Sequence, residues 1–357
     1  MHKQTLVFGL LLGGTSVVVY ACGGQETPKA VTPVASASSS APVASVTETA
    51  PPIASASTPP APPVAAPSVI VTDLKSAERL SVHGTDLYWA DRKLASVFTA
   101  PTSGGPAKAI AEGQKGIAEL TADNDAVYWT TSDGKGGGNV MKVLRKGGKP
   151  TKLATIAPGD LGGPIGIEVD ATSVYVAVST GVGSVVKVGK NGGGVVTLAS
   201  KQRSPYDLSV DASNVYWTVF GAGTSDGAIM SVPLKGGTAI AIAEKQKLPW
   251  WIASDGKEVF WIVKGPPGAV MKAPVAGGTP TALVKDVKAG SCLVVEDAWV
   301  YYASEDDDYV KKVKKEGGEP VSLAEKQKSP MGLAVDATSI YWISKVDGTI
   351  LKLAKLP

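Results

Sequence analysis

From Ser68 to Pro357 the chain is built of short apolar and β-branched runs broken by turn residues. The stretch around Asp211 to Ala243 shows the unit. Leu208-Ser209-Val210 runs into the acid Asp211, and Asn214-Val215-Tyr216-Trp217-Thr218-Val219 follows. A Gly-rich loop leads to Ala228-Ile229-Met230-Ser231-Val232, and Gly236-Gly237 precedes Thr238 to Ala243. Runs of this length and composition predict four strands joined by three turns. No part of the unit carries a helical apolar period with caps. Val215-Tyr216-Trp217 is apolar on both sides, as in a sheet buried on both faces.

The unit recurs. Its aromatic pair appears as Tyr88-Trp89, Tyr128-Trp129, Tyr175-Val176, Tyr216-Trp217, Phe260-Trp261, Tyr301-Tyr302 and Tyr341-Trp342, at intervals of 40 to 47 residues. Repeats of this size bury their faces only against one another. An acid lies five residues before each pair (Asp123, Asp170, Asp211, Asp255, Glu296, Asp336), with His83 in that slot of the first unit. Such an acid can bond its own backbone and hold the turn between the first two strands. Glycine pairs such as Gly147-Gly148 and Gly236-Gly237 mark the third turn, where a two-residue hairpin demands positive φ. The seventh unit stops after its third strand, and Ser68 to Leu74 resembles the missing fourth. The expected fold is therefore all-β: a seven-bladed β-propeller over 68–357, its last blade closed by the N-terminal strand.

Tyr128-Trp129-Thr130, Tyr216-Trp217-Thr218 and Tyr88-Trp89-Ala90-Asp91 resemble the YWTD repeats of low-density-lipoprotein-receptor-type propellers, and more loosely NHL-type propellers. The chain departs from the YWTD pattern in having seven units rather than six. Asp occupies the fourth motif position only at Asp91. The resemblance implies a binding or scaffolding module.

Residues 1–21 read as an export signal: Lys3 precedes an apolar run from Leu6 to Tyr20, too short to span a bilayer. The run ends at Val19-Tyr20-Ala21-Cys22, which resembles a bacterial lipobox, so Cys22 is the expected lipidation site. Residues 22–67 read as the lipidated Cys followed by a disordered Pro/Ala/Ser-rich tether. The expected address is exported and membrane-anchored, at the outer membrane or cell surface, with a periplasm-facing placement as the other option. Only Cys292 then remains in the propeller, so no internal disulfide forms.

Chemistry is sparse in the motifs. The histidines are His2 and His83, which leaves little for a Ser-His-Asp or Cys-His system, and no catalytic residue is assigned. A propeller lyase of the streptogramin kind would need a histidine late in the chain. Glu305-Asp306-Asp307-Asp308 has the charge for calcium but not the spacing of an EF-type loop, and no metal or cofactor is expected. With 35 basic and 32 acidic residues and no basic block, nucleic acid is not an expected partner. The connections between units carry aromatics outside the motif slot, Tyr206, Trp250 and Trp251, beside Arg203 and Lys247. These five are the expected ligand-binding residues. The sequence alone thus points to a monomeric envelope module, anchored to lipid, that binds a protein, peptide or glycan rather than an enzyme. The rival is a carboxylate-based hydrolase or lyase in the channel, which two acids facing each other across the channel mouth, with room for substrate, would favour.

Overall fold

The computed structural model describes residues 66–157, 163–179, 181–222 and 225–355. The expected signal segment, Cys22 and almost all of the tether lie outside them. Of two compact units, 1–61 and 62–357, the second contains every described residue.

Seven four-stranded antiparallel sheets make up the described residues. Six are contiguous in sequence. The seventh joins Pro330–Val335, Ser339–Ser344 and Thr349–Ala354 to Ser68–Val71 as its outer strand, with Ser68 opposite Lys352. The first strand of each blade is innermost: Ala77–His83, Ile117–Ala122, Gly163–Val169, Pro205–Val210, Pro249–Ser254, Gly290–Glu296 and Pro330–Val335. Each touches the inner strands of its two neighbours, and the last touches the first, so the ring closes. The propeller and its shared blade stand as expected.

The aromatic pair explains itself. Successive residues of a strand face opposite sides. Tyr128 therefore packs toward blade three, with Ile167 and Val176, while Trp129 packs toward blade one, with Tyr88 and Val97. The same division recurs at Tyr216 and Trp217. Each pair glues its blade to both neighbours, and each such ring buries on the order of 150–250 Å².

The acid five residues earlier has two tasks. Asp211 Oδ1 accepts from the backbone N–H of Ser213 at 2.7 Å and of Asn214 at 2.8 Å, closing the turn. Its Oδ2 accepts from the Tyr216 hydroxyl at 2.7 Å. Asp170 with Tyr175 and Asp336 with Tyr341 repeat this arrangement. Where Phe260 lacks a hydroxyl, Lys315 of the next blade takes the spare oxygen of Asp255 at 2.8 Å. Lys190 pairs with Asp123, and Lys355 with Glu296, across blade boundaries in the same way.

The third turn differs from expectation. Strands three and four are joined by six residues rather than two, as between Pro233 and Ile240. Gly236 closes a β-turn by donating its N–H to the Pro233 carbonyl at 2.8 Å. Gly237, at φ 142°, then turns the chain away before pairing can resume.

Candidate functional site

The channel is lined by the inner strands, and a β-bulge in each decides what faces it. The pairing of first and second strands slips between Ala77 and Leu80, Ile117 and Leu120, Pro205 and Leu208, and Pro249 and Ile252. A bulge re-aims the side chains inside it. Arg79, Glu119, Asp207 and Trp251 all sit in these bulges, nine residues before the aromatic slot of their own blades. The residue after each, Leu80, Leu120, Leu208 and Ile252, is buried core.

The motif threonine fixes two of these acids. Thr218 Oγ1 accepts from the Asp207 N–H at 3.2 Å and donates to the Trp250 carbonyl of the next blade at 3.0 Å. Thr130 does the same between Glu119, at 3.4 Å, and the Ile165 carbonyl, at 2.9 Å. The third letter of the Tyr-Trp-Thr motif therefore sets the backbone beneath the channel acids.

Arg79 is the centre of the cluster. Its Nη2 donates to Glu119 Oε2 and to Asp207 Oδ1, both at 2.6 Å. Its guanidinium carbon lies 3.7 Å from the centre of the Trp251 ring, a cation–π contact. Asp207 Oδ2 accepts from the Ile252 N–H at 3.0 Å, so both its oxygens are engaged. Glu119, its side chain 7% exposed, also lines the mouth chamber. Arg79 Nε and Trp251 Nε1 are buried without a partner. Burial works against the charge on Arg79, but Asp207 and Glu119 outweigh it and hold the guanidinium above its ordinary pKa. Burial also raises the Glu119 carboxyl, against Arg79 and with the help of Asp207.

Two chambers meet at Arg79 and Trp251. The mouth chamber, about 150 Å³, lies at the starts of the inner strands and is lined by Glu119, Tyr206, Trp250, Arg92, Lys264 and Lys345, among others. Tyr206 stacks on Trp250 with ring centres 4.1 Å apart, Phe220 meets Trp250 edge-on at 5.1 Å, and Lys264 Nζ lies 4.5 Å from the Trp250 ring. The inner chamber, about 250 Å³, is lined one turn of the pleat further along by Ser81, Thr121, Glu168, Ser209, Ala253, Val294 and Ala334. Burial pushes the Glu168 carboxyl up to about 7, with Arg79 pulling it down and Asp207 pushing it further up. Cys292 also borders this chamber, and burial pushes its thiol up to about 11.

Of the five residues expected to bind ligand, Tyr206, Trp250 and Trp251 come together at the mouth. Arg203 and Lys247 line neither chamber. Arg203 pairs with Asp226 at 3.1 Å, and Lys247 bonds the Pro266 carbonyl. The positive charge at the mouth comes instead from Arg79, Arg92, Lys264 and Lys345. His83 bonds Asn124 at 2.7 Å and also lines neither chamber. In the acidic loop, Asp307 pairs with Lys288 at 3.0 Å and Asp308 accepts from the Ser329 N–H at 2.7 Å. Among the described residues no cluster of acids, histidines and cysteines could hold a metal ion.

No protein-family model and no curated protein matches the chain. Solved structures of similar fold do. A catalytically inactive histidine-to-alanine variant of virginiamycin B lyase from Staphylococcus aureus, with quinupristin, superposes with a TM-score of 0.67 at 12% identity, over 82% of this chain and 99% of that one. A streptogramin B lyase gives 0.66 at 12% identity, over 81% and 98%. A nidogen/laminin complex gives 0.51 at 20% identity, over 65% and 89%. At these identities the likeness establishes a seven-bladed propeller related in fold to lyase propellers.

These findings correct the reading of a binding or scaffold module without catalysis. The framework this chain shares is an enzyme's in two of these structures, so shape gives no ground for excluding chemistry. The channel also brings two acids together: Glu119 and Asp207 reach Arg79 from blades two and four, with the guanidinium rather than open space between them.

Proposed function

We propose that the channel mouth is the active site of a carboxylate-based lyase, with Glu119 as general base. The observation that carries this is the clamp on Arg79: one guanidinium nitrogen is held by both acids, and Glu119 also lines the mouth chamber. A base needs a raised proton affinity, a fixed direction and access to substrate, and Glu119 combines them. Its proton comes from a substrate C–H, whose electron pair becomes the new double bond. The leaving oxygen departs with its own pair toward the Arg79 guanidinium, which acts as a preorganised positive charge. Asp207 keeps that guanidinium in place. Tyr206, Trp250 and Trp251 are the proposed substrate contacts at the mouth. The lyases of similar fold support this class of reaction. Catalysis here would run without their histidine, because His83 bonds Asn124 away from both chambers.

The test is turnover. Quinupristin is the first compound to assay, followed by a panel of lactones and esters, with products weighed by mass spectrometry. Unchanged total mass marks elimination, and gain of one water marks hydrolysis at the same site. Glu119→Gln should lower kcat at least ~100-fold while the protein stays folded. A variant that turns over like the wild type would sink the assignment.

We propose also that the enzyme is exported and held at the envelope by lipid on Cys22, as a lipoprotein whose repeats are of the YWTD or NHL kind. The apolar run ending at Cys22 and the Pro-rich stretch after it support that address.

A further inference from the structure

Glu168 is not used by the proposed reaction, and its surroundings are built. Seven residues, one from each blade and each seven positions before its aromatic slot, form a layer around the inner chamber. The layer is divided. Blades one to four contribute Ser81, Thr121, Glu168 and Ser209, while blades five to seven contribute Ala253, Val294 and Ala334.

Glu168 carries the only ionisable group of that layer, and no Lys or Arg pairs with it among the described residues. Its Oε2 accepts from the Thr121 hydroxyl at 3.3 Å. Arg79 is the nearest cation, and it is already bonded to Glu119 and Asp207. One guanidinium thus stands against three carboxyls at the heart of the channel, and Arg79 is the cation that lines the inner chamber. Thr121, Ser81 and Ser209 add hydroxyl oxygens on the same side. The opposite wall is mostly hydrocarbon, with Leu293 and Leu333 beside Val294 and Ala334, and the Cys292 thiol borders it too. A bare metal ion would leave most of 250 Å³ empty and half the wall uncoordinated.

We propose that the inner chamber binds a small organic cation, a protonated amine with a short apolar tail, its charge against Glu168 and its tail against the blade-six and blade-seven wall. The site is separate from the mouth chemistry, so the two readings stand or fall independently. Binding also explains the unusual carboxyl. Without a cation, burial favours its protonated form; with one, the carboxylate is paired and a proton is released.

Isothermal titration of the full chain with 3-methylbutylammonium chloride in phosphate buffer at pH 7.0 tests this. One equivalent should bind, and Glu168→Gln, checked for folding by circular dichroism, should weaken binding at least tenfold. Ala334→Leu, which fills the apolar side, should weaken it too and leave Glu168 in place. The neutral alcohol 3-methylbutan-1-ol should not distinguish wild type from Glu168→Gln. Equal amine affinity in wild type and both variants would overturn the proposal. So would tighter binding of potassium or calcium chloride than of the amine, because a metal ion has no use for the apolar wall.

Discussion

Replacing Glu168 by glutamine should make this protein more stable at alkaline pH, although it removes a charged residue from a half-buried position. The carboxyl's ordinary value is 4.5 and burial lifts it to about 7. Below pH 4.5 it is protonated in both folded and unfolded chains and contributes no difference. Between 4.5 and about 7 the folded chain holds the proton more tightly, so stability falls as pH rises. Above 7 the folded chain bears the full cost of an unpaired carboxylate. At about 1.4 kcal/mol per pH unit that cost is about 3 kcal/mol. Glutamine keeps the shape and can still accept from Thr121, so most of the cost should disappear. For a domain of this size that is on the order of 5 °C in Tm. The assay is thermal melting of wild type and Glu168→Gln from pH 4 to 9, in acetate, phosphate and borate and never in an amine buffer. The gap should open through pH 5–7 and stay open above it. Superimposed curves at pH 8, or a wild type that melts higher there, would refute the reasoning that Glu168 stands uncompensated.

Three further outcomes follow from the same geometry. A chain beginning at Ala66 should melt cooperatively, whereas one beginning at Lys75 should lose roughly 4 kcal/mol, since it gives up the outer strand of blade seven and the buried Val71; equal melting temperatures would dismiss the shared blade. Thr218→Val should cost about 1–3 kcal/mol by leaving the Asp207 N–H and the Trp250 carbonyl unpaired, measured by denaturant unfolding, and an unchanged midpoint would deny the bridge. Labelled palmitate should be incorporated by the wild type and not by Cys22→Ser, and equal labelling of both would exclude that anchor.

The architecture was legible because its constraints repeat. Every aromatic slot must fill two blade interfaces, and in five blades an Asp closes the same turn, so Asp170 and Tyr175 look like Asp336 and Tyr341. The channel was not legible because its residues are under no such constraint. Nine positions before the aromatic, the seven blades carry Arg79, Glu119, Gly166, Asp207, Trp251, Cys292 and Gly332. A search for what recurs passes over such a slot. The signal was present in inverse form: a position that carries six residue types in seven blades, directly before one that is always Leu or Ile, marks side chains released from packing. Arg203 and Lys247 lie elsewhere for a related reason. Their loops carry positive φ at Ser204, 42°, and Leu248, 48°, and both side chains bond to neighbouring loops instead of lining the channel.

The strand at Ser68–Val71 lies against Thr349–Ala354, so the first and last described strands are neighbours in the same sheet. Which blade comes first is then a matter of where the gene begins, not of how the ring is built. Arg79 meets Glu119 and Asp207 because blade one lies beside blade two and three places from blade four, and that cyclic order survives any relocation of the ends. A circular permutant opened at Glu112-Gly113, with Lys355 linked to Ala66, would read its seven units from a new starting point and assemble the same channel.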